Sequence, residues 1–234
     1  MLEPVETAQK KQTQFIASAS HELRTPLAVV RSGLESVEKC SNEEERNHFL
    51  HLMSEETVHM KRLIDDMLLL ANSDADTLTI KPEACQPDLL LLDTYEKFEP
   101  LAKKNGLHLI LTLPEEILPD CFCDIHRTEQ IFSIIVDNAL CYTPSGGKVT
   151  LSCHAENEML CFLFEDTGCG ISEEKKSHIF ERFYRADDAH TDREHFGLGL
   201  CIAKELTEKQ NGNIQVVDAP ISGSCFMVQL PCVL

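Results

Sequence analysis

The sequence predicts an α+β protein, with a long antiparallel helical hairpin followed by an α/β sandwich. Two observations support this prediction. Through roughly the first 70 residues, apolar side chains recur every three or four positions, which is the spacing of amphipathic helices. After a polar break at residues 72–76, short apolar runs and helical patterns follow one another without regular alternation, as in a mixed sheet covered by helices. We therefore place two domains at residues 1–74 and 75–234.

The first domain is predicted to contain two long helices. The first spans about residues 5–40, and Ser41 or Asn42 before three glutamates is a typical start for the second. Because a hairpin cannot bury such wide apolar seams alone, we expect two copies to form a four-helix bundle as a homodimer. The alternative is that the seam packs on the second domain of the same chain. The seam of the first helix contains Ile16, Ser20, Leu23, Leu27, Val30, Leu34 and Val37.

A histidine beside this seam is the most unusual feature of the first helix. His21 lies one residue, or about 100° of helix rotation, from Ser20, so its imidazole should point to solvent beside Glu22. Pro26 deprives the Glu22 carbonyl of its helical partner, and we expect the helix to bend there. Taken alone, this pattern favours an ordinary surface histidine on a kinked helix.

Composition argues against several classes of protein. Hydrophobic residues make up 43% and charged residues 26% of the 234, as in soluble globular proteins. The net charge of −18 argues against a nucleic-acid partner, which would need a basic face. No apolar run reaches the roughly 18–20 residues that span a bilayer, and the N-terminus lacks the apolar core of a signal peptide. Most of the 11 cysteines lie in apolar contexts, and the close pair Cys121 and Cys123 lacks zinc-site spacing.

The second domain is predicted to be a mixed sheet with helices on one face. Its predicted helices span residues 87–104, 127–142, 179–184 and 199–210. Its predicted strands span residues 107–113, 149–153, 159–165, 214–217 and 224–230.

Two glycine-containing patterns in this domain suggest ligand binding. Asp166 ends an apolar strand and precedes Gly168 and Gly170. Such a carboxylate can accept from an exocyclic amine, while the glycines let the backbone approach a planar ligand. Gly197 and Gly199 open a helix, as in phosphate cradles, where free N–H groups and the helix dipole favour an anion. Either pattern alone is equally an ordinary loop or a helix cap.

An asparagine interrupts the most apolar helix of the domain. Asn138 follows Asp137 in a helix that is otherwise almost entirely apolar, and a buried amide needs a polar partner. Hydrated Mg²⁺ with nucleotide phosphates would supply one. A hydrogen bond to backbone is the ordinary alternative.

In this order, the patterns closely resemble the cytoplasmic core of bacterial two-component sensor histidine kinases over nearly the whole chain. The matching motifs are the phosphoacceptor box at residues 15–27, the asparagine box at 137–144, the glycine boxes at 166–170 and 197–200, and the phenylalanine box at 179–185. The resemblance implies a dimerisation and histidine-phosphotransfer hairpin at residues 1–74. It also implies a catalytic Bergerat-type ATP-binding domain at residues 75–234, the fold shared with gyrase and heat-shock chaperone ATPases.

The resemblance also implies a role for each matching residue. His21 would take the γ-phosphoryl group of ATP, with Glu22 as base or orienting group, and Thr25 would position water for dephosphorylating a response regulator. Asn138 would bind Mg²⁺ and Asp166 would accept from the adenine amine. The other residues implied to bind nucleotide are Tyr142, Gly168, Gly170, Ile171, Tyr184, Arg185, Gly197, Leu198, Gly199 and Leu200.

The chain departs from the family pattern at four positions: Ile134, Cys141, His195 and Phe196. Many members carry a second asparagine at the first position, a basic residue at the second, and small residues at the last two. Weaker nucleotide or metal binding would follow from these losses. Lys148, Arg182 and His195 are candidate substitutes.

We therefore expect a histidine kinase that passes its phosphoryl group to an aspartate of a response regulator receiver domain and also dephosphorylates that partner. We expect it to be the cytoplasmic part of a membrane receptor, attached to the membrane only through segments absent from this chain. A nucleotide-binding scaffold without transfer, or a chaperone- or gyrase-like ATPase, are the alternatives.

Overall fold

The computed structural model describes residues 3–185, 196–219 and 222–233, with side chains from residue 13 onward. The described residues fall into two compact units. The first is made of Met1–Thr77 and Arg182–Leu198, and the second of Leu78–Glu181 and Gly199–Leu234. Among the helices in these residues, none combines the length and apolar character needed to cross a lipid bilayer.

The first unit contains the predicted helical hairpin. Helix α1 spans Glu3–Lys39 and continues through Pro26, and α2 spans Glu43–Asp74. The Asn42 side chain caps α2 by accepting from the Glu44 N–H at 2.9 Å, which satisfies one of the free N–H groups at the helix start. Gly33 of α1 approaches α2 so closely that an added Cβ would lie 2.7 Å from Cγ of Met53. A glycine in α1 therefore lets the two helices approach closely at this point.

The larger apolar residues of α1 remain exposed in a single hairpin. Ile16, Leu27 and Leu34 are 57%, 57% and 54% exposed. Ser20 was expected to fill the seam, but it is exposed, and its hydroxyl donates to the Ile16 carbonyl at 2.8 Å. The wide apolar stripe thus divides into a narrow seam buried inside the hairpin and an uncovered row beside it.

The second unit is a mixed sheet with helices packed on it. Its helices are α3 (Pro87–Lys104), α4 (Ile125–Tyr142), α5 (Glu173–Lys176) and α6 (Gly199–Glu208). Its strands are β1 (Glu83–Cys85), β2 (His108–Thr112), β3 (Cys121–Cys123), β4 (Lys148–Glu156), β5 (Met159–Asp166), β6 (Asn213–Asp218) and β7 (Ser224–Pro231). The main sheet has the order β2-β4-β5-β7-β6, in which only the β2–β4 pair is parallel, and β1 and β3 form a separate antiparallel ribbon.

Aromatic side chains join α4 to the centre of the sheet. The ring of Phe132 lies 4.8 Å from that of Phe162 and 5.0 Å from that of Phe164, and all three are fully buried. Phe162 and Phe164 are two residues apart on β5, so both point to the same side of the sheet. This packing fixes α4 against the strand that ends at Asp166.

The α+β class is confirmed, but three local elements differ from the sequence prediction. The helix predicted at residues 179–184 is wrong: the helix lies at Glu173–Lys176, and turns follow it. Phe183 has a left-handed φ of 61°, which a continuing helix would not allow. The two short strands β1 and β3 were not predicted.

A buried glutamine connects α4 and α6 at one end. Oε1 of Gln210, which is 4% exposed, accepts from the N–H of Asp124 at 2.7 Å and from the Thr128 hydroxyl at 3.4 Å. Its Nε2 donates to the Leu206 carbonyl at 3.1 Å. The start of α4 is thereby tied to the residue that follows the last turn of α6.

Candidate functional site

His21 lies on the exposed surface of α1, with its imidazole 75% exposed, which confirms the predicted orientation toward solvent. Its Nδ1 lies 3.7 Å from Oε1 of Glu22, longer than a hydrogen bond but within reach of a small side-chain rotation. Because the carboxylate lies on the Nδ1 side, Nε2 is left for reaction with an incoming group. Thr25, also exposed, lies one helical turn further along α1.

Asp166 ends β5 as a buried carboxylate held by two donors. It is 4% exposed. Oδ1 accepts from the Gly168 N–H at 2.8 Å, and Oδ2 accepts from the Ser224 hydroxyl at 2.5 Å. These bonds fix the orientation of the carboxylate and leave further lone pairs to accept from a ligand donor.

Glycines allow three backbone segments to meet around this carboxylate. Gly223 has a φ of 92°, and a Cβ there would lie 2.0 Å from the Asp166 carbonyl oxygen. A Cβ at Gly168 would lie 2.4 Å from the Tyr142 carbonyl oxygen at the end of α4. The structure thus brings Tyr142, Asp166 and Gly168 together. Gly170 and the half-buried Ile171 continue the same loop.

Asn138 lies in the last turns of α4 and is half-buried, less than its apolar surroundings in the sequence suggested. Its side chain makes no hydrogen bond to any residue that the structure describes. A half-buried amide of this kind offers a hard oxygen to a ligand. The residue present therefore fits a Mg²⁺ ion that carries nucleotide phosphates.

The start of α6 packs closely on α4. A Cβ at Gly199 would lie 3.1 Å from Cγ2 of Ile134, which precedes Asn138 by one turn. Gly199 and Leu200 are half-buried in the first turn of this ten-residue helix. The N–H groups of that turn have no intrahelical acceptor, so they favour an anion.

Tyr184 and Gly197 are neighbours in the first unit. The Phe183 N–H donates to the Gly197 carbonyl at 2.9 Å, and a Cβ at Gly197 would lie 2.7 Å from the Tyr184 carbonyl oxygen. Arg185 is exposed, and Leu198 is buried. His195 and the rest of segment 186–195 lie outside the described residues.

Comparison with known proteins identifies the family. Residues 11–76 match the His Kinase A (phospho-acceptor) domain, and residues 123–234 match the histidine kinase-, DNA gyrase B- and HSP90-like ATPase domain. The chain belongs to the sensor histidine kinases. It is 33% identical over 234 residues to the sensor histidine kinase RppB of Synechocystis, covering 98% of this chain and 51% of RppB. It thus spans about half the length of that relative.

Two solved histidine kinase structures show the same fold. Full-length ShkA in complex with AMPPNP has a TM-score of 0.71 and 26% identity, with coverage of 94% of this chain and 46% of ShkA. ThkA in complex with the response regulator TrrA has a TM-score of 0.75 and 18% identity, with coverage of 98% of this chain and 66% of that one.

An arginine of the phenylalanine box makes a contact that the sequence did not predict for this kinase. The Arg182 guanidinium donates two hydrogen bonds of 2.7 Å to the carboxylate of Asp74, at the end of α2. The hydrogen bond from Arg182 lowers the pKa of the Asp74 carboxyl. The guanidinium also lies 5.4 Å from the centroid of the Phe15 ring, which packs against Phe183 at 5.6 Å. Arg182 is therefore engaged with the hairpin in this structure.

Ser224 and Gly223 are the site residues that sequence reasoning missed. Ser224 begins β7 and Gly223 directly precedes it, and the pairing of β7 with β5 brings both to Asp166. Ser224 is 58 positions from Asp166 in sequence. No local sequence pattern marks either residue. The register of β5 with β7 would have been needed to predict that Ser224 lies beside Asp166.

Proposed function

We propose that this chain is a kinase core that transfers the γ-phosphoryl group of ATP to His21 and then to an aspartate of a response regulator. The exposed imidazole beside the Glu22 carboxylate is the single observation that carries this proposal. Nε2 would attack γ-phosphorus as the bond to the ADP oxygen breaks. Glu22 would hold the proton on Nδ1 and stabilise the positive charge that develops on the ring.

ATP is bound, in this proposal, through adenine recognition by Asp166. Its carboxylate would accept from the exocyclic amine in the orientation set by Gly168 and Ser224. A buried, pre-oriented acceptor rejects bases that present a carbonyl oxygen at that position, since two acceptors would face each other. The residues proposed to line the rest of the nucleotide are Tyr142, Gly170, Ile171, Tyr184, Arg185, Gly197, Leu198, Gly199 and Leu200.

We assign the metal to Asn138. Mg²⁺ would supply neutralisation of charge on the phosphates, and the half-buried amide oxygen of Asn138 is a ligand of the kind this ion accepts. The chain is strongly acidic, with a net charge of −18. The metal ion held by Asn138 and the N-terminus of α6 would therefore offset the electrostatic repulsion between this acidic chain and the phosphates of ATP.

The test compares His21→Gln with His51→Gln after incubation with γ-labelled Mg-ATP. His51 is a matched control, because it is 72% exposed on α2 and its Nε2 lies 3.4 Å from a carboxylate oxygen of Glu55. We expect acid-labile label on the wild type and the control and none on His21→Gln. Label on His21→Gln equal to the wild type would refute the assignment. Binding of Mg-ATP without any label would favour the scaffold, which Ile134 and Cys141 suggest.

We further propose that the functional form is a homodimer. Ile16, Leu27 and Leu34 form the uncovered row of α1, and burying each leucine would contribute about 1.5–3 kcal/mol. Leu34→Lys should then give a monomer in light-scattering measurements. Ser32→Lys, also at an exposed position of α1, should stay dimeric. A monomeric wild type at micromolar concentration would contradict this proposal.

The partner in the second transfer is proposed to be a receiver domain that docks around His21. Thr25, exposed one turn below, would position the water that hydrolyses the phosphoaspartate. Thr25→Ala should therefore keep autophosphorylation and slow dephosphorylation of the regulator. The control is Thr57→Ala on the exposed surface of α2. Equal dephosphorylation by both variants would remove Thr25 from this role.

A further inference from the structure

Three thiols converge on one face of the β1–β3 ribbon, away from the residues assigned to ATP. Cys85 is directly opposite Cys121 in the antiparallel register, and Cys123 follows two residues later. Because side chains alternate along a strand, all three thiols lie on the same face. Their sulfur atoms all lie within 4.8 Å of one another, and those of Cys85 and Cys123 are 3.4 Å apart.

The three thiols of this cluster differ in their exposure to solvent. Cys121 and Cys123 are fully buried, whereas Cys85 is half-buried. The Cys85 thiol also donates to the Cys121 carbonyl at 3.6 Å. The cluster thus holds three sulfur atoms close enough to share one ion, while the half-buried Cys85 gives a route from solvent.

We propose that Cys85, Cys121 and Cys123 form a three-thiolate site for a thiophilic closed-shell metal ion, Cu⁺ or Zn²⁺. Thiolates select these ions over Mg²⁺ and Ca²⁺, which prefer oxygen ligands. Within the described residues, no other His, Cys, Asp or Glu ligand atom joins the group at the same spacing. Three sulfurs complete trigonal coordination of Cu⁺. Zn²⁺ prefers four ligands and would take a water on the open side at Cys85.

Binding displaces protons and cross-links the ribbon. The thiol protons would leave to solvent as the sulfurs coordinate the ion, so the affinity should rise with pH. The ion would connect β1 to β3 immediately before Asp124, whose side chain caps α4 by accepting from the Arg127 N–H at 3.1 Å. The site therefore lies at the end of α4 opposite to Asn138.

The spacing of these cysteines along the sequence argues against a metal site, because only two of the three are close neighbours in the chain. Cys121 and Cys123 are separated by one residue, and the third thiol comes from a strand 36 positions earlier than Cys121. Pairing of β1 with β3 brings Cys85 to the other two. This pairing was not predicted, since each strand has only three residues.

The experiment titrates the whole reduced chain with Cu⁺ or with Zn²⁺, each in competition with a chromophoric chelator. Cys85→Ser is the test variant, because this half-buried side chain tolerates a serine. Cys153→Ser, at a buried thiol on β4, is the matched control. We expect the wild type and the control to hold one equivalent of at least one ion, and Cys85→Ser to bind it about tenfold or more weakly.

X-ray absorption of the loaded wild type gives a second readout that does not depend on any variant. Three sulfur neighbours with no oxygen would assign Cu⁺, and three sulfurs at roughly 2.3 Å with one oxygen would assign Zn²⁺. Fewer than three sulfurs, equal affinity of Cys85→Ser and Cys153→Ser, or no retention of either ion would overturn the proposal. So would loss of binding in Cys169→Ser alone, since Cys169 is an exposed thiol outside the ribbon.

Discussion

Replacing Gly223 with alanine should damage both the fold of the second unit and adenine binding. An added Cβ would lie 2.0 Å from the carbonyl oxygen of Asp166 and 2.7 Å from its Oδ1. The first of these atoms is backbone at the end of a paired strand, so it cannot rotate away. The chain must move by about 1.4 Å to restore an ordinary contact of 3.4 Å, at an overpacking cost of about 1–3 kcal/mol.

Gly146→Ala separates this clash from the cost of the backbone conformation. Gly146 has a φ of 86°, close to the 92° of Gly223, and an added Cβ there would meet nothing within 4 Å. Both variants therefore carry a similar left-handed penalty of about 1–2 kcal/mol and a similar loss of unfolded-chain entropy. We expect Gly223→Ala to lose about 1–3 kcal/mol more than Gly146→Ala, which is a further several degrees in Tm.

Calorimetry and binding of a fluorescent ATP analogue together test this reasoning. Gly223→Ala should weaken nucleotide binding, because the clash displaces the residue that carries the proposed adenine acceptor. Gly146→Ala should leave the affinity near that of the wild type. Equal losses of Tm in the two variants, with equal affinities, would show that the packing of Gly223 against Asp166 has no energetic importance.

Three other variants probe single contacts. Ser224→Ala removes the hydroxyl that donates to the buried carboxylate of Asp166 and should lower the free energy of unfolding in urea by about 1.5–3 kcal/mol. The control Thr94→Val, whose hydroxyl donates only to a backbone carbonyl, should cost about 0.5–1.5 kcal/mol. Equal costs would show that the hydrogen bond to the carboxylate is no stronger than one to a backbone carbonyl. Burial, and then the neighbouring carboxylate of Asp65, raise the pKa of Asp66 to about 6, so the folded state binds more protons than the unfolded state and loses stability as the pH rises from about 4 to 6. Asp66→Asn should therefore stabilise the hairpin by on the order of 1 kcal/mol at pH 7.5 and little at pH 4. A difference in stability that does not change with pH would refute this. The hydrogen bond from Arg182 lowers the pKa of Asp74, so this pair stabilises the folded state above about pH 4, and that stabilisation is lost on acidification. A double-mutant cycle of Asp74→Asn and Arg182→Met should give a coupling energy of about 0.5–1 kcal/mol at pH 7 and none at pH 2.

Helices were predictable from the sequence because their signal is local. The apolar stripe and the Asn42 cap located α1 and α2, and α3 was predicted with the same limits as in the structure. The exposure of His21 also followed from its angular position beside the stripe. Helix limits, capping and the exposure of a helical side chain depend on residues within one or two turns, and these residues are adjacent in the sequence.

Contacts between distant segments were not predictable in this way. Ser224 reaches Asp166 only through strand pairing, and Arg182 meets Asp74 across 108 positions. The helix expected at residues 179–184 failed because Phe183 adopts a left-handed conformation that its residue type does not favour. Ser20 was placed in the seam because periodicity gives the width of an apolar stripe but does not show which edge of it meets the second helix.

Gln210 holds α6 at the end far from the proposed phosphate-binding residue Gly199. The buried amide fixes the end of α6 to the start of α4, and Gly199 lies about 15 Å away at the other end. A tilt of about 5° at the Gln210 end would move Gly199 by roughly 1.3 Å, a displacement of the size that costs a phosphoryl-transfer site much of its rate. The alignment of ATP at the proposed site would thus depend on a glutamine at the opposite end of α6 from Gly199.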